Sequence, residues 1–348
     1  MGFDDVQMML RPHHHTQRKS PHEALNYEYW LDQDGRGEER WDRAKAQLKP
    51  KTAHFQIWRS ALDEEWHSTS WIGNRAVEMI EEKGDAPLIA WVSFPDPHPP
   101  FLAPKPWCNL YSPEEVTIAQ HSKLDLDCRP WWHQRFVEDR AKPIKQGAEH
   151  NAGGIDWGQN GILDEKVLRD ITAIYFGMIS AVDAQVDRIF DGLEAKGEMD
   201  NTYIVFVSDH GEWLGDHGLL LKGPMLYDGI LRVPCLIQGP GIPQSLVVDD
   251  PVGSIDILAT ATDLSEYEVD SLRSAVDMDL LTVRSDRYRM SIDTKTDTGE
   301  LYDMQEDPSE LENLFDDPAY VAVRLEHTDM IRSRPDDIIP STPRIGWH

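Results

Sequence analysis

Residues Tyr203 to Gly241 read YIVFVSDHGEWLGDHGLLLKGPMLYDGILRVPCLIQGPG. The run Tyr203–Val207 has the length and apolar character of a buried strand, and it delivers the chain straight into Ser208-Asp209-His210-Gly211-Glu212. Gly215-Asp216-His217-Gly218 and Lys222 follow, and a second short strand, Cys235–Gln238, ends at the turn Gly239-Pro240-Gly241. An Asp and a His side by side at a strand end can both ligate a divalent cation, while glycines let the backbone come close to an oxyanion. The Lys222 ammonium, 13 residues after Asp209, can fold back to neutralise a bound sulfate or phosphate. The same residue types also suit an acidic turn with a capping Asp and a surface lysine, and they leave both readings open.

Working outward, Asp164–Lys196 places Val167, Leu168, Ile171, Ile174, Met178, Val182 and Leu193 on one face, with Gly197 closing it: a long amphipathic helix. Trp71–Lys83 shows helical spacing with Gly84 at the C-cap, and Ser254–Leu264 reads as a further helix. Leu88–Phe94 is a continuous apolar run ending in Pro95-Asp96-Pro97-His98-Pro99-Pro100, which suits a strand buried on both faces with a loop at its C-terminal end. Helices alternating with apolar strands give an α/β fold, a mostly parallel sheet flanked by helices, with ligands gathered at the C-terminal ends of strands. After Leu264 the pattern changes to Leu280–Arg284, Tyr288–Asp293, Leu301-Tyr302 and a helix near Pro318–Arg332, a small antiparallel C-terminal subdomain. The expected division is 1–264 and 265–348.

The 348 residues carry 34 Lys+Arg against 62 Asp+Glu, a net charge of −28, which repels nucleic acid and anionic lipid. No apolar run approaches the roughly 18 residues of a membrane span, and the acidic Met1–Asp5 has no apolar signal-peptide core, so a cytoplasmic protein is the default expectation and the oligomeric state stays open. Three cysteines, Cys108, Cys128 and Cys235, form neither a disulfide framework nor a CxxC pair. His13-His14-His15 are adjacent and cannot all point at one ion. The 12 tryptophans either line a sugar- or aryl-binding cleft or pack long loops onto a core.

Ser93-Phe94-Pro95-Asp96-Pro97-His98-Pro99-Pro100-Phe101, the Tyr203–Gly241 string, Pro251-Val252-Gly253-Ser254-Ile255-Asp256 and Gly299-Glu300-Leu301-Tyr302-Asp303-Met304-Gln305-Glu306-Asp307-Pro308 follow one another along the chain. Together they resemble the sulfatase family of the alkaline-phosphatase-like superfamily of metal-dependent ester hydrolases, over most of the chain. The resemblance implies that Asp209 and His210 are two ligands of a catalytic divalent cation, calcium or manganese. It implies that Lys222 contacts the sulfate and the nucleophile, and that His98 hydrogen-bonds the ester and protonates the leaving oxygen. Read without it, His98 in a Pro-rich turn is better explained as ordering the loop. The implied activity is hydrolysis of a small-molecule sulfate ester. The alternatives are a phosphonate monoester or phosphodiester hydrolase of the same superfamily, and a non-catalytic remnant.

Departures from the family pattern set further expectations. The family's paired acidic ligands after a first strand, its C-x-P-S-R motif whose Cys becomes the formylglycine nucleophile, and its later Lys-x-His are not found in these residues. Cys128-Arg129-Pro130 imitates C-x-P but lacks the Ser and Arg and follows His98; it is read as a decoy. Asp4-Asp5 matches the metal pair in composition only. A segment also looks absent after Leu264. The chain therefore reads as a sulfatase lacking its N-terminal catalytic segment, and the neighbours of the missing strand, Leu88–Phe94 and Tyr203–Val207, are expected to show exposed apolar edges.

Overall fold

A computed structural model describes residues 27–32, 37–39, 42, 57–59, 62–99, 101–119, 129–134, 165–223, 225–249, 252–254, 256–257, 260, 280–293 and 298–333. The chain divides into two compact units, one of residues 1–122 with 143–202, the other of 123–142 with 203–348. His13–His15, Asp4-Asp5 and Cys128 lie outside the described residues.

In the first unit the helices are α1 (Tyr27–Asp32), α2 (Ser68–Glu82) and α3 (Glu165–Lys196), and the strands β1 (Ile57–Arg59) and β2 (Phe101–Ala103) pair in parallel. Helix α2 starts a few residues before the expected Trp71 because the extended His67 caps it, Nδ1 accepting the Thr69 N–H at 3.4 Å. It ends where Gly84 turns left-handed, φ +60°. Helix α3 buries Leu168, Ile171, Ile174, Met178 and Leu193, the apolar face read from the sequence. Helices α2 and α3 are tied by Arg188 donating to Asn74 at 2.6 Å, and the residues just past their C-termini by the Lys83–Glu198 ion pair at 3.0 Å. Gly177 of α3 lies under the Trp107 carbonyl, where any Cβ would overlap it. Tyr27, Leu31, Leu62, Trp66 and Trp71 form one buried cluster, with the Tyr27 hydroxyl donating to the Trp66 carbonyl at 2.7 Å. Trp66 and Trp71 thus pack a core.

Leu88–Phe94 does not form the expected buried strand. The segment makes no ladder, and Leu88, Ile89, Trp91 and Val92 are exposed, Trp91 at 73%. A strand buried on both faces needs a partner along each edge and cover on each side. Among the described residues of this unit the only ladder is the three-residue β1–β2 pair.

In the second unit β3 (Ile204–Val207) pairs with β4 (Cys235–Gln238), Val207 opposite Cys235. The pairing is antiparallel, a sense the sequence reading did not specify for these two strands: an apolar run shows that a strand wants burial, not which way its neighbour runs. Strand β4 is exposed along its whole length, and Phe206 of β3 is exposed as well. Strands β5 (Leu280–Arg284), β6 (Tyr288–Asp293) and β7 (Thr298–Asp303) form an antiparallel meander. Asp317 accepts the Ala319 N–H at 2.8 Å, Pro318 follows, and α4 (Val321–Arg332) begins. Its Ile331 joins Met290, Ile292, Leu301, Leu314 and Phe315 in the second core. The expected helix over Ser254–Leu264 is helical at 254, 256, 257 and 260, and the rest lies outside the described residues. Among the described residues no helix is long and apolar enough to cross a membrane.

Candidate active site

Strand β3 ends at Val207 and the next residues are fixed by their own short hydrogen bonds. The Ser208 hydroxyl donates to the His210 carbonyl at 2.9 Å, and Asp209 Oδ1 accepts the His210 N–H at 2.9 Å. His210 Nδ1 lies 2.7 Å from the Gly211 carbonyl. A carbonyl can only accept, so Nδ1 carries a proton, and the nitrogen left to act as a metal ligand is Nε2. That Nε2 stands 3.6 Å from Asp209 Oδ2, a gap that two ligands of one cation at about 2.3–2.6 Å span comfortably. The Asp209 side chain is 86% exposed, open to an entering ion.

Behind this pair Gly211 donates to the Ile230 carbonyl at 2.9 Å, and a Cβ on Gly211 would run into the Gly229 carbonyl. Glycine is required there by close approach of two backbones. The loop returns to Lys222, which is half-buried. Burial pushes its ammonium pKa down, while the Asp209 and Glu212 carboxylates pull the other way. The structure therefore brings Asp209, His210 and Lys222 into one neighbourhood. It supplies two metal donors: among the described residues no group of three or more His, Cys, Asp or Glu is arranged to hold a metal ion. The donor set fits half of a cation site.

The loop rests on a buried polar network. The His217 ring stacks on Tyr227 with centroids 3.7 Å apart. The Tyr227 hydroxyl donates to Glu300 at 2.6 Å, so its oxygen accepts from His133 Nδ1 at 2.8 Å. Burial first, then the Arg129 and His217 charges, hold the His133 pKa down to about 3, and the ring stays neutral. Arg289 donates to Glu310 inside the same core, both side chains at most 2% exposed. Burial pushes the Glu310 carboxyl up, but His217 and Arg289 outweigh it and leave the pKa below the usual value. Arg129 and His133 are buried parts of this network, and Trp132 between them in sequence is buried as well.

His98 belongs to the other unit. Its N–H donates to the Pro95 carbonyl at 2.9 Å, closing a turn, and its Nδ1 donates to the Pro99 carbonyl at 2.6 Å. The turn's Asp96 points inward, accepts from the Thr69 hydroxyl, and lies 3.9 Å from His67 Nδ1. Sequence reading missed this anchor, because Asp96 and Thr69 are 27 residues apart. Burial pushes the Asp96 carboxyl up to about 7 against the lowering effect of the Thr69 hydrogen bond. An unfolded chain ionises it near pH 4, so stability present below about pH 4 is lost as pH rises toward 7, on the order of 4 kcal/mol. Asp96→Asn, which removes this ionisation, is expected to flatten the fall in denaturation midpoint between about pH 4 and about pH 7. Parallel pH profiles for the variant and the unaltered chain would contradict the buried acid.

The sulfatase family profile matches residues 7–267. The chain is 27% identical over 324 residues to the uncharacterized sulfatase YidJ of Escherichia coli K12, covering 82% of this chain and 61% of that protein. It is 28% identical over 287 residues to an arylsulfatase of Clostridium perfringens, covering 74% of this chain and 56% of that one. Among solved structures, a phosphonate monoester hydrolase of Agrobacterium radiobacter superposes with a TM-score of 0.68 at 26% identity, over 88% of this chain and 68% of that one. The chain thus spans about three fifths of the length of the curated relatives it matches.

Proposed function

Since the chain belongs to the sulfatase family, we propose that it carries part of the machinery for metal-dependent hydrolysis of small-molecule sulfate esters. The observation that supports this most is the Asp209–His210 pair, two cation donors 3.6 Å apart with the ring tautomer set by the Gly211 carbonyl. Asp209 Oδ2 and His210 Nε2 would hold a divalent cation, calcium or manganese, which when bound polarises the oxygens of the ester. Lys222, partly desolvated beside Asp209, neutralises charge on the oxyanion. His98, its Nδ1 proton tied to Pro99, gives or takes a proton at Nε2 and is assigned to the leaving oxygen. The family's formylglycine has no matching C-x-P-S-R cysteine in these 348 residues, and no step is derived through it. A phosphonate monoester is the second reading, favoured by the Agrobacterium structure's likeness over 88% of the chain. For the fold at large we propose the family's α/β arrangement, a mostly parallel sheet flanked by helices over 1–264 and an antiparallel subdomain over 265–348, supported by the meander β5–β7.

Calcium and similar hard cations take about six to eight ligands, so two protein donors bind weakly and contribute little to folding. Thermal melts of the chain with and without millimolar calcium or manganese are expected to superimpose. A clear upward shift that disappears in Asp209→Ala would show a complete site and overturn the two-donor account. A shift that survives Asp209→Ala would move the metal elsewhere and overturn the assignment of this pair.

A further inference from the structure

Leu214, His217 and Leu221, none of them glycine, have left-handed backbone in the loop between Gly211 and Lys222, with φ of 44, 51 and 68°. For a leucine this costs on the order of 1–2 kcal/mol, and such residues persist only where the surroundings over-determine them. The amides of both leucines point at one carboxylate. Glu212 Oε1 accepts the Leu214 N–H at 3.3 Å and the Leu221 N–H in a shorter bond. Around it, Trp213 donates to the Leu221 carbonyl at 3.2 Å and Gly215 to the Leu219 carbonyl at 2.8 Å, while the buried Trp213 side chain anchors the base of the loop. Glu212 thus reaches nine residues along the chain, from the segment bearing Asp209 and His210 to the residue just before Lys222. The Trp213–Leu221 hydrogen bond returns the chain beside Glu212, and Lys222 is the next residue; burial lowers its ammonium pKa, against the raising effect of the Asp209 and Glu212 carboxylates.

We propose that Glu212 is a positioning residue of this site: by holding Leu214 and Leu221 left-handed it fixes where Lys222 leaves the loop relative to Asp209 and so sets where the two can share an oxyanion. The oxyanion rests on the function proposed above; the placement of Lys222 does not. A charged acceptor on backbone N–H groups is among the stronger hydrogen bonds available to a loop, and a glutamine keeps the accepting oxygen while an alanine removes it.

Zero-length carbodiimide coupling of the full chain, read by mass spectrometry of peptides, tests the proposal. The unaltered chain is expected to give a Lys222–Asp209 link. In Glu212→Ala that link falls several-fold while the Lys83–Glu198 link, from an ion pair in the other unit at 3.0 Å, persists. Glu212→Gln restores the Lys222–Asp209 link. An alanine variant that couples Lys222 to Asp209 as well as the unaltered chain overturns the proposal, as does a glutamine variant as deficient as the alanine one. If the alanine variant loses the Lys83–Glu198 link as well and so has not folded, the glutamine variant decides alone: retention of the Lys222–Asp209 link supports the proposal and its loss overturns it. A chain that passes this test yet binds no manganese at Asp209 would refute the proposed function and leave the role of Glu212 standing.

Discussion

The purified 348-residue chain is expected to hydrolyse an aryl sulfate at no more than a trace rate. Covalent catalysis needs an activated nucleophile, and removing one typically costs about 10⁴–10⁶ in kcat. Asp209, His210, Lys222 and His98 supply, by the assignment proposed here, cation donors, an ammonium and a proton-transfer group, none of which attacks sulfur. Cys128 is the only cysteine in a C-x-P setting, and its sequence neighbours Arg129 and His133 are committed to a buried network with Tyr302, Tyr227 and Glu310. Turnover at ordinary enzymatic rates that vanishes in Cys128→Ala would make that cysteine the nucleophile and overturn this account. The same assay with a phosphonate monoester is expected to give the same trace rate, because the two readings share the nucleophile.

Glu310→Gln is expected to destabilise the second unit by about 3–5 kcal/mol, the range for stripping one partner from a buried ion pair. Arg289 would keep its charge at essentially zero exposure, holding hydrogen bonds to the Leu226 carbonyl and the Ser291 hydroxyl but losing its carboxylate partner Glu310. The Asp228 N–H, which Glu310 accepts at 2.9 Å, would meet an amide in place of a carboxylate, and the one-turn helix Asp228–Leu231 behind Gly211 would loosen. Replacing both partners with apolar residues of similar size, Arg289→Met with Glu310→Leu, is expected to cost less than the single change. Urea denaturation followed by tryptophan fluorescence measures both. A single variant within 1 kcal/mol of the unaltered chain would contradict a buried, charged pair.

Local periodicity carried far in this molecule. The α3 boundaries, and those of β5 and β6, follow from apolar spacing because each element buries a face set by residues a few positions apart. Leu88–Phe94 shows where that logic stops: six apolar residues out of seven state a preference for burial, and only long-range partners can satisfy it. The antiparallel β3–β4 ladder is equally invisible locally, since its direction is set by a connection of nearly 30 residues. At the candidate site the nearest-neighbour chemistry was legible, with Asp209, His210 and Lys222 standing in one motif. Their supports were not: Tyr227 and Glu300 meet across 73 residues, Arg129 and Glu310 across 181. Glu212 sat inside the same motif, but its task depends on two left-handed leucines that no residue type announces.

The central claim is that Asp209 and His210 form the cation-binding half of a sulfatase-family site, and paramagnetic line broadening by manganese tests it where the ion would sit. With sub-stoichiometric Mn²⁺ added to the isotope-labelled chain, the amide signals of Ser208 to Gly211 and the His210 ring are predicted to broaden first, and Asp209→Ala is predicted to abolish that selectivity. Broadening spread over the acidic surface with Ser208–Gly211 spared, or unchanged in Asp209→Ala, would contradict the claim.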